Sequence, residues 1–169
     1  MGRSERTVSI ALIRHGAPVL GVIHDPIRDE CYAAATGKGA WCNGVLLHPQ
    51  PTPALADCVA AIDFKRLTPR MAQALVASPP YGSQRNFGSS VLEWAWVACG
   101  RVHLYLHGAQ AMWDYAAGLL LLTAAGGQAV TLTGEPVFHP SLERRSVIAA
   151  LDSERFLIWR DYLTKILEN

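Results

Sequence analysis

Charge is scarce in this sequence. Asp, Glu, Lys and Arg make up 17% of it and nearly cancel, leaving a formal net charge of +1. That balance excludes a broad electrostatic attraction to nucleic acid or to a membrane surface, and no run of like charges marks an extended tail. Long hydrophobic runs are absent too. The longest, residues 116–125, is too short to span a bilayer and is interrupted by Gly118 and Thr123. The opening Met1-Gly2-Arg3-Ser4-Glu5-Arg6 is charged, with no apolar segment of signal-peptide type behind it. Cys31, Cys42, Cys58 and Cys99 show no CxxC or other metal-binding spacing. Buried free thiols in a reducing cytoplasm are the expectation. What is abundant is apolar: half the residues are hydrophobic, a core-rich composition. A chain of 169 residues suffices for one domain that buries roughly 70% of its unfolded surface.

The pattern along the chain changes once. Residues 7–13 alternate, with Val8, Ile10 and Leu12 on one face, and read as a strand. His15-Gly16-Ala17-Pro18 turns it, and residues 19–24 return. Short strands follow at 31–35, 40–42 and 45–47, the last two joined by the hairpin dipeptide Asn43-Gly44. Residues 48–53 carry three prolines and form a connector. Beyond it, strands at 58–62, 85–87, 102–106, 128–132 and 146–150 alternate with helices at 69–77, from Ser89 or Ser90 to Cys99, at 113–125 and from Asp152 or Ser153 onward. Phe156, Leu157, Trp159, Leu163, Ile166 and Leu167 form an apolar stripe on the last helix. The organisation is an antiparallel part (7–47) and an alternating α/β part (54–169) within one domain (1–169), with no internal repeat.

The most informative stretch is Trp113-Asp114-Tyr115-Ala116-Ala117-Gly118, closed by Ala124-Ala125-Gly126-Gly127. Its Ala, Leu and Gly content predicts a helix buried on most sides. Asp114 falls at its N-cap or first turn, where a carboxylate accepts backbone N–H bonds and meets the positive end of the helix dipole. An oxygen donor held this way suits a hard cation.

This stretch resembles the C-terminal signature of the inositol monophosphatase family, Mg²⁺-dependent phosphatases of sugar and nucleotide phosphates. Thr7-Val8-Ser9-Ile10-Ala11-Leu12 through Gly21-Val22-Ile23-His24-Asp25-Pro26 resembles the hairpin past the family's metal loop. Gly37-Lys38-Gly39-Ala40-Trp41-Cys42-Asn43-Gly44, Phe87-Gly88-Ser89-Ser90, Val97-Ala98-Cys99-Gly100-Arg101 and Arg144-Arg145-Ser146-Val147-Ile148 are similar to further family segments, in order, over the family's C-terminal two-thirds. The resemblance implies an α/β fold, the layered αβαβα sandwich without its N-terminal helices and metal-loop strand. It implies Asp114 as a ligand of Mg²⁺, with Trp113 packed beneath it, and Gly88, Ser89 and Ser90 on the substrate side. His107-Gly108-Ala109-Gln110 stands on the turn where the family commonly has a glutamate that touches substrate hydroxyls. His107 is therefore a further substrate-side candidate, or simply a polar loop residue. Glu93 reads as an exposed or paired helix residue.

The sequence departs from the family where the chemistry is decided. The signature Asp-Pro-Ile/Leu-Asp-Gly-Thr and an upstream glutamate supply the remaining metal ligands, and they precede the strand that here begins near Thr7. Asp25-Pro26-Ile27-Arg28-Asp29 is only a partial echo: Arg28 stands at the second aspartate and no Gly-Thr follows. It reads as the family's later hairpin loop. Two-metal hydrolysis needs several carboxylates. The expectation is a truncated, cytoplasmic relative acting on a small phosphorylated metabolite at family level. By itself it would bind Mg²⁺ weakly or not at all, have no catalytic residue of its own and be inactive or nearly so. Three alternatives stay open: a longer intact enzyme, a partner chain that completes the site, and a non-catalytic binding or assembly module. Homodimer formation is compatible with each.

Overall fold

A computed structural model describes residues 6–49 and 51–168. The charged opening segment (residues 1–5) and Gln50 of the proline connector lie outside the described residues, as does Asn169.

The first part is an antiparallel meander of β1 (Val8–Arg14), β2 (Ala17–Asp25), β3 (Glu30–Ala35), β4 (Gly39–Cys42) and β5 (Val45–Leu46), in that spatial order. Tight hairpins of this kind need left-handed backbone at the turn, and Asn43 (φ 49°) and Gly44 (φ 78°) both supply it. The second part runs β6 (Val59–Asp63), α1 (Pro69–Ala77), β7 (Ser83–Arg85), α2 (Ser90–Ala98), β8 (Leu104–Gln110), α3 (Met112–Ala124), β9 (Gln128–Val130), β10 (Arg145–Ala150) and α4 (Ser153–Glu168). Its sheet has the order β7-β6-β8-β10-β9. β6 lies parallel to β7 and β8, and β10 antiparallel to β8 and β9.

The layers follow from where apolar side chains fall. Ile23 and Tyr32 of the first sheet, Trp94 and Val97 of α2, Leu121 and Leu122 of α3, and Tyr105 and Val147 of the second sheet form one core. Helices α2 and α3 therefore lie between the sheets. Leu104, Leu106 and Ile148 on the opposite face of the second sheet pack with Met71, Leu75, Phe156, Trp159 and Leu163, so α1 and α4 cover that face. The stack is β-α-β-α, the expected layered α/β sandwich. Each fully buried Leu or Ile contributes roughly 1.5–3 kcal/mol. The outer face of the first sheet leaves Val8, Ile10 and Leu12 each more than half exposed.

Several boundaries differ from expectation. β7 covers 83–85 rather than 85–87, because Phe87 turns back to pack its ring edge-on against Trp96. β8 starts later and runs through His107 to Gln110, stretches read as strand end and turn, because pairing with β10 continues to Arg145↔Gln110. In the α4 stripe, Phe156, Trp159 and Leu163 are buried, but Leu157 and Leu167 are exposed, since α4 covers the sheet with a narrower face. Cys58 is buried and Cys31 exposed, with Cys42 and Cys99 in between, so the buried-thiol expectation holds fully only for Cys58.

The tightest packing is between the two central helices. A Cβ placed on Gly118 of α3 would lie 2.3 Å from Trp94 Cβ and 2.5 Å from Trp94 Cγ. Only hydrogen at this position lets the fully buried indole sit against the α3 backbone. Gly118→Ala is expected to destabilise the fold by about 1–3 kcal/mol through overpacking. Urea denaturation would show this as a lower midpoint with an unchanged slope, and an unaltered midpoint would contradict the close approach.

Candidate functional site

β6 and β8 are adjacent parallel strands, and the register pairs Asp63 with His107. The chain leaves β6 through a 3-10 turn, Phe64–Arg66, capped by Asp63, whose carboxylate accepts the Lys65 N–H at 3.1 Å. This turn can lie against β8 because Gly108 has no side chain: a Cβ there would stand 1.7 Å from the Arg66 carbonyl oxygen. Helices α2 and α3 begin at the same end of the sheet. Together these elements enclose a cavity of about 420 Å³ lined by residues that include Asp63, Lys65, Arg66, Gly88, Ser89, Ser90, Glu93, His107, Asp114 and Arg144.

All five residues expected at a site therefore line one cavity. Ser89 is the N-cap of α2, its hydroxyl accepting the Leu92 N–H at 3.4 Å and lying 3.0 Å from the Thr7 hydroxyl. Gly88 takes left-handed backbone (φ 76°) just before it. Asp114 is the third residue of α3, not its cap. Ala111 is the cap, and Asp114 Oδ2 accepts its N–H at 3.2 Å, which is half of a capping box. Trp113 does not pack beneath Asp114. It is 65% exposed, because the buried side of α3 begins at Tyr115.

His107 is not on a turn. It lies within β8 and is 5% exposed. Its Nδ1 accepts the Ala109 N–H at 3.1 Å, which puts the proton of the neutral ring on Nε2, 3.6 Å from Asp63 Oδ2. Burial pushes the imidazole below the ordinary histidine range; Asp63 opposes that shift and Arg66 adds to it. The ring is thus neutral at pH 7, and its approach to Asp63 is an N–H directed at a carboxylate rather than an ion pair.

Glu93 is also buried (2% exposed), against expectation, because α2 is covered on nearly every side by the two sheets and α3. Burial raises its pKa to about 7, opposed by hydrogen bonds from the Phe87 N–H (3.0 Å) and Tyr105 and reinforced by Asp63. Beneath it, Trp94 Nε1 donates to Gln110 Oε1 at 2.9 Å, and Gln110 Nε2 donates to the Tyr105 hydroxyl. This buried polar chain fixes the floor of the cavity.

Asp63, Lys65, Arg66, Glu93 and Arg144 were not expected here. Asp63-Phe64-Lys65-Arg66 follows a strand of a parallel pair, the place where open α/β sheets bind ligands, and that position was the available signal. Asp25, in contrast, is fully buried in its own turn, accepting from the Ile27 N–H (3.0 Å), the Arg28 N–H (3.3 Å) and Arg28 Nη1 (2.8 Å). Burial alone would raise its pKa, but these bonds hold it below the usual carboxylate range. Among the described residues, no three His, Cys, Asp or Glu side chains come together to hold a metal ion. No described helix is long and apolar enough to cross a membrane.

The raised pKa of Glu93 gives a pH signature. The folded state holds the proton more tightly than the unfolded chain, so this stabilisation is full below the ordinary carboxyl pKa and is lost as pH rises through about 7. Glu93→Gln is expected to remove a decline of roughly 2–4 kcal/mol in unfolding free energy over that window. Denaturant titrations from acid to neutral pH check it; parallel profiles for both proteins would contradict it.

A family model described as "Inositol monophosphatase family" matches residues 2–166. The inositol-1-monophosphatase of Bacillus subtilis (strain 168) is 36% identical over 160 residues, which cover 92% of this chain and 60% of that protein. The crystal structure of inositol monophosphatase-II from Staphylococcus aureus MSSA476 superposes with a TM-score of 0.82 at 26% identity, covering 96% of this chain and 63% of that one. A structure of SaIMPase-II with inositol monophosphate bound superposes at 0.83 with 28% identity, covering 96% and 63%. The chain thus spans about three-fifths of the length of these relatives. Sequence match and fold agree: the chain belongs to the inositol monophosphatase family.

Proposed function

We propose that this chain forms the substrate-facing share of an Mg²⁺-dependent phosphomonoester hydrolase, with Asp114 as one carboxylate ligand of the metal. The observation that carries the reading is the convergence of Asp114 with Gly88, Ser89 and Ser90 on one cavity, in a chain of this family. The first turn of α2 offers backbone N–H groups to an anion. The inositol monophosphate held by SaIMPase-II supports a phosphorylated small molecule as ligand.

The described residues do not by themselves fit a resident Mg²⁺, which prefers octahedral oxygen ligands. Asp63 is engaged by the Lys65 N–H and by Asn86 Nδ2 at 3.3 Å, and burial biases Glu93 towards its protonated form. That leaves Asp114. On that ground the chain alone is inactive or nearly so. Incubated with inositol monophosphate and millimolar Mg²⁺, it is expected to release no phosphate above the buffer rate. Robust turnover abolished by Asp114→Ala would refute the inactivity and uphold the ligand.

A second reading, an assembly module, has its own observation. Val8, Ile10 and Leu12, on the outer face of edge strand β1, are exposed apolar side chains. Self-association through this face predicts a dimer in size-exclusion chromatography with light scattering, dispersed by Ile10→Lys. A monomer at all concentrations would remove this reading.

A further inference from the structure

The Tyr105 hydroxyl is a buried junction. Tyr105 is fully buried in β8, and its oxygen bonds the side chains of Gln110, Ser90 and Glu93. Ser90 and Glu93 line the cavity, while Tyr105 and Gln110 are fully buried behind them.

Donor and acceptor chemistry orders this junction. An indole nitrogen only donates, so Trp94 Nε1 holds Gln110 Oε1 towards itself at 2.9 Å. The amide nitrogen of Gln110 is thereby turned to Tyr105 and donates to its oxygen. A phenol has one proton to give and two acceptor sites. With one acceptor site taken by Gln110, Tyr105 gives one proton and receives one more. Ser90 and Glu93 are the remaining partners, so one receives and the other gives. Tyr105 itself stays neutral, since burial and the neighbouring Glu93 hold it well above the usual phenol range.

Which partner receives depends on Glu93. As a carboxylate it has no proton and accepts from Tyr105. Ser90 then donates to Tyr105, and its oxygen turns only lone pairs to the cavity. As a carboxylic acid, Glu93 donates to Tyr105. Tyr105 then donates to Ser90, whose own proton is freed for the cavity. Glu93 Oε1 keeps the Phe87 N–H at 3.0 Å in both arrangements, so the acid's proton sits on Oε2. Both arrangements are reached near neutral pH, because burial raises the pKa of Glu93 to about 7.

We propose that Tyr105 is a positioning residue that relays the state of Glu93 to Ser90, and so decides whether Ser90 offers a proton or a lone pair to a ligand in the cavity. This rests on the reading of Gly88, Ser89 and Ser90 as the substrate side and adds how that side is set. An oxyanion accepts only and suits the arrangement with Glu93 protonated. Asp63 of β6, Lys65 and Arg66 of the turn after it, His107 of β8, Asp114 of α3 and Arg144 before β10 share the cavity with Glu93. They act on Glu93 in the parent and in each variant alike, so differences between variants isolate the hydroxyls.

The test is the titration midpoint of Glu93, followed by NMR of its side-chain carboxyl carbon in the full chain without ligand. Ser90→Ala leaves the Tyr105 proton without an acceptor only while Glu93 is protonated. It should therefore lower the midpoint by about one pH unit, the effect of one unmet buried donor. Ser90→Thr keeps the hydroxyl and should keep the parent midpoint. In a Tyr105→Phe background, Ser90→Ala should change nothing. An unchanged or higher midpoint in Ser90→Ala overturns the proposal, since a serine that only donates to Tyr105 favours the carboxylate. A fall that persists without the Tyr105 hydroxyl overturns it too. If Tyr105→Phe does not fold, the sign for Ser90→Ala and the Ser90→Thr rescue decide. Sulfate, whose charge is constant over this range, supplies the ligand arm. Ser90→Ala should weaken its binding about threefold below the midpoint and leave it unchanged above; an equal loss on both sides overturns the relay. Because the midpoint needs no ligand, absence of sulfate binding counts against the phosphate-ester reading alone, and the midpoints still decide the relay.

Discussion

The contact between Gly118 and Trp94 sets the distance between the two central helices, and most of the site depends on that distance. With no side chain at 118, the α3 backbone meets the indole directly. The indole in turn packs edge-on against Tyr105, centroids 5.3 Å apart, and donates to Gln110. One continuous set of buried contacts therefore ties α3 to α2 and both to β8. Because helices docked so closely slide little, their first turns are held over the same end of the sheet. Ser89 and Asp114, 25 positions apart in sequence, face one cavity for this reason.

The cavity is electrostatically divided. Its floor is buried and its polar groups lean toward neutrality. Glu93 is biased toward its protonated form by burial, and His107 is deprotonated for the same reason. Its rim carries Lys65, Arg66 and Arg144, all exposed. Cationic side chains stand at the rim, while burial keeps Glu93 and His107 of the floor near neutrality, since desolvating a fixed buried charge would be costly. The acids Asp63 and Asp114 each bond a backbone N–H near their own chain positions. That ties each carboxylate to the loop that carries it.

Local pattern was a good guide wherever a segment decides its own conformation. The Asn43-Gly44 hairpin, the Pro69 start of α1, the Ser89 cap and the apolar α3 helix all follow from residues within one turn of each other. It misled where the partner lies far off in sequence. His107 reads as a turn residue beside two small residues, but pairing with β10 draws it into the sheet. Glu93 reads as a surface residue, but two sheets and a helix close over it. Trp113 reads as an anchor, yet at the second position of α3 it faces outward. Lys65 and Arg66 belong to no motif, and Arg144 only opens a strand segment, because a rim assembled from separate loops leaves no local spacing to read.

The order of elements and their types were determined by sequence alone, as were the place of Ser89 at the start of α2 and of Asp114 in the first turn of α3. They rest on short-range propensity, capping and periodicity, which act within a few residues. Which charged groups share the cavity, which of them are buried, and which protonation state burial favours were decided only by the tertiary structure. Desolvation and charge proximity are properties of distance in space, and the chain folds residues 63–66, 88–93, 107–114 and 144 into one neighbourhood that no local stretch encodes.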